Sequence, residues 1–70
     1  MNLSEIRALS DNEIRARLVD AREELMNLRF QQSTGELTDY TRLSYTRKTI
    51  ARLLTVLSER EIQAEMEGES

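Results

Sequence analysis

The residues of this chain best suited to binding a charged ligand lie between positions 40 and 58. This stretch has no acidic residue and four basic ones, Arg42, Arg47, Lys48 and Arg52. Nine of the ten basic residues in the chain are arginine, which forms planar, bidentate contacts with phosphate and stacks on bases. The stretch therefore favours contact with phosphate groups.

A helical spacing places several of these side chains on one face. If Leu43 and Ile50 point inward, the opposite face carries a stripe of polar, basic and aromatic side chains: Thr41, Tyr45, Lys48, Arg52 and Thr55. Such groups contact phosphates, sugars and unstacked bases of RNA. From composition alone, an ordinary solvated helix face is an equally good interpretation. The absence of acids argues against it, because solvated helices usually carry both signs of charge.

Nothing in the sequence predicts catalysis. The chain has neither histidine nor cysteine, so it lacks the commonest general base and all thiolate ligands. Lys48 could activate a serine only if it were buried, and its spacing places it on the outer face. The paired carboxylates Glu23 and Glu24 lie on a helix surface without a predicted pocket. We expect no enzymatic activity, no metal site, no cofactor and no small-molecule substrate.

Two apolar seams predict the elements that position these residues. Alternating spacings of three and four residues connect Ile14, Leu18, Ala21, Leu25 and Leu28, and again Leu43, Thr46, Ile50, Leu53 and Leu57. Asn2 with Glu5 and Ser10 with Glu13 form capping boxes, Asp39 can cap the second seam, and Gly35 can end the first. These signals predict helices at about residues 3–9, 11–34 and 40–64.

The predicted fold is all-α, a long antiparallel two-helix hairpin with the short N-terminal helix packed at its open end. A turn centred near Leu37 makes the numbers of facing residues sum to about 74, which brings Leu25 to Ile50 and Ala21 to Leu53. Residues 1–64 would form this single domain. Residues 65–70 are acidic and polar, and we expect a disordered tail there that is repelled by phosphate.

A second apolar strip lies outside the first seam and consists of Val19, Met26 and Phe30, beside Ala16. Either the short N-terminal helix covers part of it, or it is an exposed docking patch for a neighbouring protein or an RNA surface. The chain shows no signal peptide pattern and no apolar run long enough to span a membrane. We therefore expect a soluble, cytoplasmic protein.

Two sequence motifs resemble those of one known family. Residues 24–37, ELMNLRFQQSTGEL, look like the signature ELxxLRFQxATGxL of large-subunit ribosomal protein L-twenty-nine. Arg42-Leu43 and residues 47–57, RKTIARLLTVL, are similar to the segment RIRxVRRxIARxxTVL of the same family. The motifs stand at the family's separation, and the resemblance covers about residues 2–61.

The resemblance implies a helical hairpin bound to large-subunit ribosomal RNA near the mouth of the polypeptide exit tunnel. It also implies a neighbour, ribosomal protein L-twenty-three, and chaperones or targeting factors that dock nearby. The motif residues that become RNA contacts are Arg29, Arg42, Arg47, Lys48, Arg52 and Thr55. Ser44, Leu54 and Ser58 stand where relatives often have a base, and Thr46 replaces a usual valine, which implies fewer phosphate contacts than is typical.

Two other classes of function compete with this interpretation. A protein-only coiled-coil adaptor would explain the seams and the acidic tail, but neither the acid-free stretch nor the paired motifs. A small helical enzyme of the chorismate mutase kind would need cations pointing into the bundle, whereas Lys48 and Arg52 are predicted to point outward. The prediction from sequence is a structural constituent of the large ribosomal subunit, with an RNA-binding face of Tyr45, Lys48, Arg52 and Thr55.

Overall fold

Three helices make up the chain in the computed structural model, which describes residues 1–68. The short helix α1 spans Leu3–Arg7, the first long helix α2 spans Asp11–Thr34, and the second long helix α3 spans Tyr40–Gly68. The two long helices pack against each other, α1 packs on α3, and helix accounts for 85% of the structure. The predicted all-α hairpin is therefore confirmed. No helix of residues 1–68 combines the length and apolar character that crossing a bilayer requires.

The helix boundaries follow from side chains that satisfy free backbone amides. Asn2 Oδ1 accepts from the Glu5 amide at 2.8 Å, and Ser10 Oγ accepts from the Glu13 amide at 3.2 Å. Before α3, Asp39 Oδ1 accepts from the Thr41 amide at 3.0 Å. Each of these oxygens replaces a hydrogen-bond partner that the first turn of a helix lacks.

Gly35 ends α2 in the left-handed conformation, with φ at +79°. An added Cβ would meet no atom within 4 Å, so a substitution here changes backbone strain and nothing else nearby. We expect Gly35→Ala to lower the free energy of unfolding by about 1–2 kcal/mol, the cost of this conformation for an L-residue. Gly35→Asn is the matched control, because asparagine tolerates the left-handed region, and it should cost less. Equal denaturation midpoints for the Gly35→Ala variant and the wild type would contradict the assignment of this turn.

The hydrophobic core is divided along the length of the hairpin. At the open end, α1 contributes Ile6 to a cluster that also contains Ile14, Leu18, Ala21, Leu53 and Val56. At the turn, Leu28, Leu37 and Leu43 form a second cluster. Buried Thr46 belongs to neither cluster, and its hydroxyl donates to the Arg42 carbonyl oxygen at 2.9 Å, so it carries no unsatisfied donor.

The structure departs from the predicted seam at several positions. Val56 is almost completely buried, whereas Leu57, the predicted seam residue, is only half-buried. Val56 was missed because a two-helix seam leaves it outside, and α1 supplies the third surface that covers it. Leu25 and Ile50, predicted to face each other, are both half-buried and pack against different clusters.

The ends of α1 and α3 also differ from the predicted ones. Helix α1 ends at Arg7 rather than at residue 9, and α3 continues past residue 64 to Gly68. The first four residues of the predicted acidic tail are thus helical, and residues 69–70 lie outside the described part of the chain. Glutamate, alanine and methionine favour helix, so the tail's charge does not prevent the helix from extending.

Arg60 connects α3 to the end of the short helix and to the start of α2. Its guanidinium pairs with the Asp11 carboxylate and donates to the Leu9 carbonyl oxygen at 2.7 Å and to the Arg7 carbonyl oxygen at 3.2 Å. A second ion pair joins Arg7 to Glu59 at 3.0 Å. Because Arg60 continues the seam row of Leu53 by one heptad, it closes the open end with polar contacts where the apolar pattern stops.

Candidate nucleic-acid interface

The stripe predicted on α3 is present as a continuous surface, which we call the α3 face and define as Thr41, Tyr45, Lys48, Arg52 and Thr55. Lys48 and Thr55 are exposed, and Lys48 has no ion-pair partner among residues 1–68. The Thr55 hydroxyl donates to the Ala51 carbonyl oxygen of its own helix at 2.8 Å, and its oxygen can still accept. Lys48 and Thr55 are therefore open to a ligand.

Two members of the α3 face hold the first residue of the chain. The Met1 amino group donates to Tyr45 Oη at 2.9 Å, and Arg52 Nη1 donates to the Met1 carbonyl oxygen at 3.3 Å. The hydrogen bond from the ammonium group, followed by its positive charge, lowers the pKa of the Tyr45 phenol. Tyr45 stays 54% exposed, whereas Arg52 is half-buried. Both residues thus have a structural contact as well as an accessible surface.

Arg42 lies beside the α3 face and is committed to an ion pair. Its Nε donates to the Glu24 carboxylate of α2, and its side chain remains 64% exposed. An exposed pair of this kind contributes little to stability. Arg42 can therefore bridge the two helices and still offer its remaining N–H groups outward.

The two sides of the α2–α3 seam carry different residues. On one side, which we call the lid flank, an open recess is lined by Met1, Arg17, Asp20, Ala21, Glu24, Tyr45 and Thr49. Residues seven apart stay on one strip of a helix, so Arg17 and Glu24 mark this side of α2. On the other side of the seam, α2 carries Arg15, Arg22 and Arg29. On that same side, α3 carries Arg47 and Leu54.

We call this second side the open flank and define it as Arg15, Arg22, Arg29, Arg47 and Leu54. The structure thus separates the predicted RNA contacts into groups. Arg29 and Arg47 lie on the open flank, Tyr45, Lys48, Arg52 and Thr55 lie on the α3 face, and Arg42 lies at the lid flank. Arg15 and Arg22 were not among the residues predicted from the sequence. Arg15, Arg22 and Arg29 follow one another at intervals of seven residues, and this spacing is a signal that could have indicated them.

The apolar strip on α2 is exposed in the structure. Val19, Met26 and Phe30 have 56%, 66% and 67% of their surface accessible. The interpretation in which the short helix covers part of this strip is therefore wrong, because α1 packs on α3 and on the seam residues Ile14 and Leu18 of α2. The strip stays available to a partner.

The described residues contain no group of three His, Cys, Asp or Glu side chains that could hold a metal ion. The geometry combines a narrow helical hairpin, exposed cations on two sides and an exposed apolar strip. These features define a small all-helical binding protein.

Comparison with known proteins identifies the family. The sequence profile described as "Ribosomal L29 protein" matches residues 4–60. The chain belongs to this ribosomal protein family.

Several bacterial relatives are similar over most of their length, and each is described as "Large ribosomal subunit protein uL29". The relative from Corynebacterium urealyticum is 56% identical over 59 residues, which cover 84% of this chain and 77% of the relative. The one from Lactobacillus delbrueckii subsp. bulgaricus is 52% identical over 63 residues, covering 90% and 97%. The one from Chloroflexus aurantiacus is 49% identical over 67 residues, covering 94% and 98%.

Proposed function

We propose that this chain is a non-enzymatic, structural constituent of the large ribosomal subunit and binds large-subunit ribosomal RNA near the polypeptide exit tunnel. The observation that carries the proposal is the family match over residues 4–60, which includes the whole acid-free stretch. The relatives' names place them in the large subunit. Their similarity over most of both chains supports the same assembly for this one, on cytoplasmic ribosomes.

The RNA contacts that we propose are those predicted from the motifs: Arg29, Arg42, Tyr45, Arg47, Lys48, Arg52 and Thr55. The structure gives the most direct support to Arg29, Arg47 and Lys48, because these side chains are exposed and form no ion pair within the described residues. Tyr45 and Arg52 would bind RNA while holding Met1. An unpaired cation reaches a phosphate without first breaking an internal contact, so we rank Lys48 first on the α3 face.

Sedimentation tests the assembly. The chain, carrying a small label at its C-terminus, is expressed in a bacterium, and a lysate is separated on a sucrose gradient. We expect the label in the large-subunit and whole-ribosome fractions, and its release by high salt as phosphate contacts weaken. A label that stays at the top of the gradient, bound to other proteins and insensitive to nuclease, would overturn the proposal and favour a protein-only adaptor.

We further propose that the exposed apolar strip of α2 contacts a neighbouring protein. The resemblance implies ribosomal protein L-twenty-three as the neighbour, with chaperones or targeting factors as later visitors. The exposure of Val19, Met26 and Phe30 supports this role, since three large apolar side chains on one strip are an unusual surface for a solvated helix. Phe30 is the natural anchor, because aromatic side chains contribute most to protein interfaces.

Phe30→Ala should weaken binding to purified L-twenty-three by roughly 30-fold, the loss that corresponds to a hot-spot cost of about 2 kcal/mol. The measurement is a calorimetric or fluorescence titration of the two proteins. Tyr40→Ala is the matched control, since Tyr40 is an aromatic residue of similar exposure on the other long helix. Equal losses for both variants, or none for Phe30→Ala, would rule out the strip as the contact.

A further inference from the structure

We propose that the hairpin binds two separate segments of RNA, one on the α3 face and a second on the open flank. This inference rests on the proposed function, and it adds a binding surface made mainly by α2, where Arg15 and Arg22 would be contacts. The chain would then act as a strut that holds two RNA segments at a defined separation.

The open flank is built from cations that no internal contact engages. Arg15, Arg22, Arg29 and Arg47 are exposed, and none forms an ion pair within residues 1–68. The three arginines of α2 are separated by seven residues, which is about 10.5 Å along the helix. Arg7, Arg42 and Arg60, by contrast, form ion pairs, and Arg52 donates to the Met1 carbonyl oxygen. A row of free guanidinium groups is an electrostatic footprint typical of nucleic-acid binding.

The composition of the open flank favours RNA over a protein partner. Its two rows, taken every seventh residue, contain no acid between Arg15 and Arg29 or between Arg47 and Leu54, and the next residue of the α3 row is Glu61. Leu54, at 42% exposed, is its one large apolar side chain. Protein interfaces are depleted of charge at their centre, whereas this surface has charge along its whole length. Phosphate backbone is the ligand that matches it.

The geometry favours the engagement of different RNA segments by the two surfaces. On α3, Arg47 and Arg52 are five residues apart, which separates them by about 140° around the helix axis. The arginine row of α2 lies on the open flank, across the seam from the recess that Met1 and Tyr45 line. The hairpin is 19 by 16 Å in its two shorter dimensions. One backbone strand would have to wrap around the protein to reach both surfaces.

Site-directed crosslinking to deproteinised large-subunit RNA tests this inference. The chain has no cysteine, so one introduced cysteine can carry a photo-crosslinker on a chosen face. Leu54→Cys samples the open flank, Thr41→Cys the α3 face, and Glu23→Cys the outermost part of α2 as a control. We expect reverse-transcription stops in two non-overlapping RNA segments for the first two variants, and none for Glu23→Cys.

The arginines are then tested in the crosslinking background. Adding Arg15→Gln and Arg22→Gln should abolish the Leu54→Cys crosslink, retain the Thr41→Cys crosslink, and lower the slope of log affinity against log salt by about 1.8. The matched control replaces Arg7 and Arg17, which lie off the open flank, and should leave the crosslink in place.

The outcomes separate this inference from the proposed function. If both cysteines label one segment, if Leu54→Cys labels none while Thr41→Cys labels RNA, or if both pairs of arginine changes act alike, the two-segment inference is wrong and RNA binding stands. If no cysteine labels RNA and the unmodified chain does not bind it, the proposed function fails as well.

Discussion

Leu53→Ala is expected to lower the free energy of unfolding by about 2–5 kcal/mol, the range measured for large-to-small changes in protein cores. Leu53 is completely buried and belongs to the cluster in which all three helices meet. Its truncation removes apolar contacts and leaves a cavity that neither α1 nor α2 can fill without moving. A domain of 70 residues has little stability to lose, so this change should bring it close to unfolding.

The neighbouring residue provides a matched control. Leu54 is 42% exposed, and Leu54→Ala makes the same chemical change one position away. It should cost well under half as much as Leu53→Ala. Urea denaturation followed by far-ultraviolet circular dichroism measures both, and a protecting osmolyte keeps a marginal variant folded for comparison. Similar losses for the two variants would show that α3 is rotated relative to the described structure.

Replacing Lys48 and Arg52 together by alanine is expected to remove about two phosphate contacts. The slope of log affinity against log salt should then fall by about 1.8, since each contact releases condensed counterions. The double change should also affect stability. Because Arg52 donates to the Met1 carbonyl oxygen, the double variant should have a slightly lower melting temperature than the wild type.

Lys48→Ala alone separates the two effects. Lys48 is exposed and has no ion pair in residues 1–68, so this variant should keep the wild-type melting temperature and lower the slope by about 0.9. Removal of residues 65–70 is a control that deletes negative rather than positive charge. It removes three acids, so RNA binding should stay equal or become slightly tighter. The measurement is RNA affinity across a salt series. An unchanged slope for both lysine variants, or loss of binding on truncation, would show that the α3 face is not the contact.

The local features of this fold could be predicted from sequence because they depend on neighbouring residues. The predicted bounds of α2 agree with the structure, since Ser10 caps its first turn and Gly35 supplies the left-handed residue that ends it. The start of α3 follows in the same way from Asp39. The two apolar seams, read with the short turn between them, were sufficient to predict an antiparallel hairpin.

The candidate site was predicted less completely, because a one-dimensional pattern does not show which side of a seam another element will cover. The predicted stripe lies along α3, and the segment that leads into α1 brings Met1 onto Tyr45 and Arg52 within it. Arg29 and Arg47 were predicted as RNA contacts outside that stripe, on the basis of motif and charge. In the structure they lie on a different side of the hairpin.

What the sequence alone determined is the class of the protein: its helices, their caps, its family motifs, and the acid-free run of basic residues on α3. These properties depend on residue type and on spacing within one helix, where 3.6 residues per turn relates position to direction. Tertiary structure decided which residues are buried and which cations are free. Val56 became core, Phe30 stayed exposed, and Arg42 and Arg60 were drawn into ion pairs with α2. The physical reason is that burial and charge pairing arise between helices: α1 supplies the surface that covers Val56, and the packing of α2 on α3 brings Arg42 to Glu24.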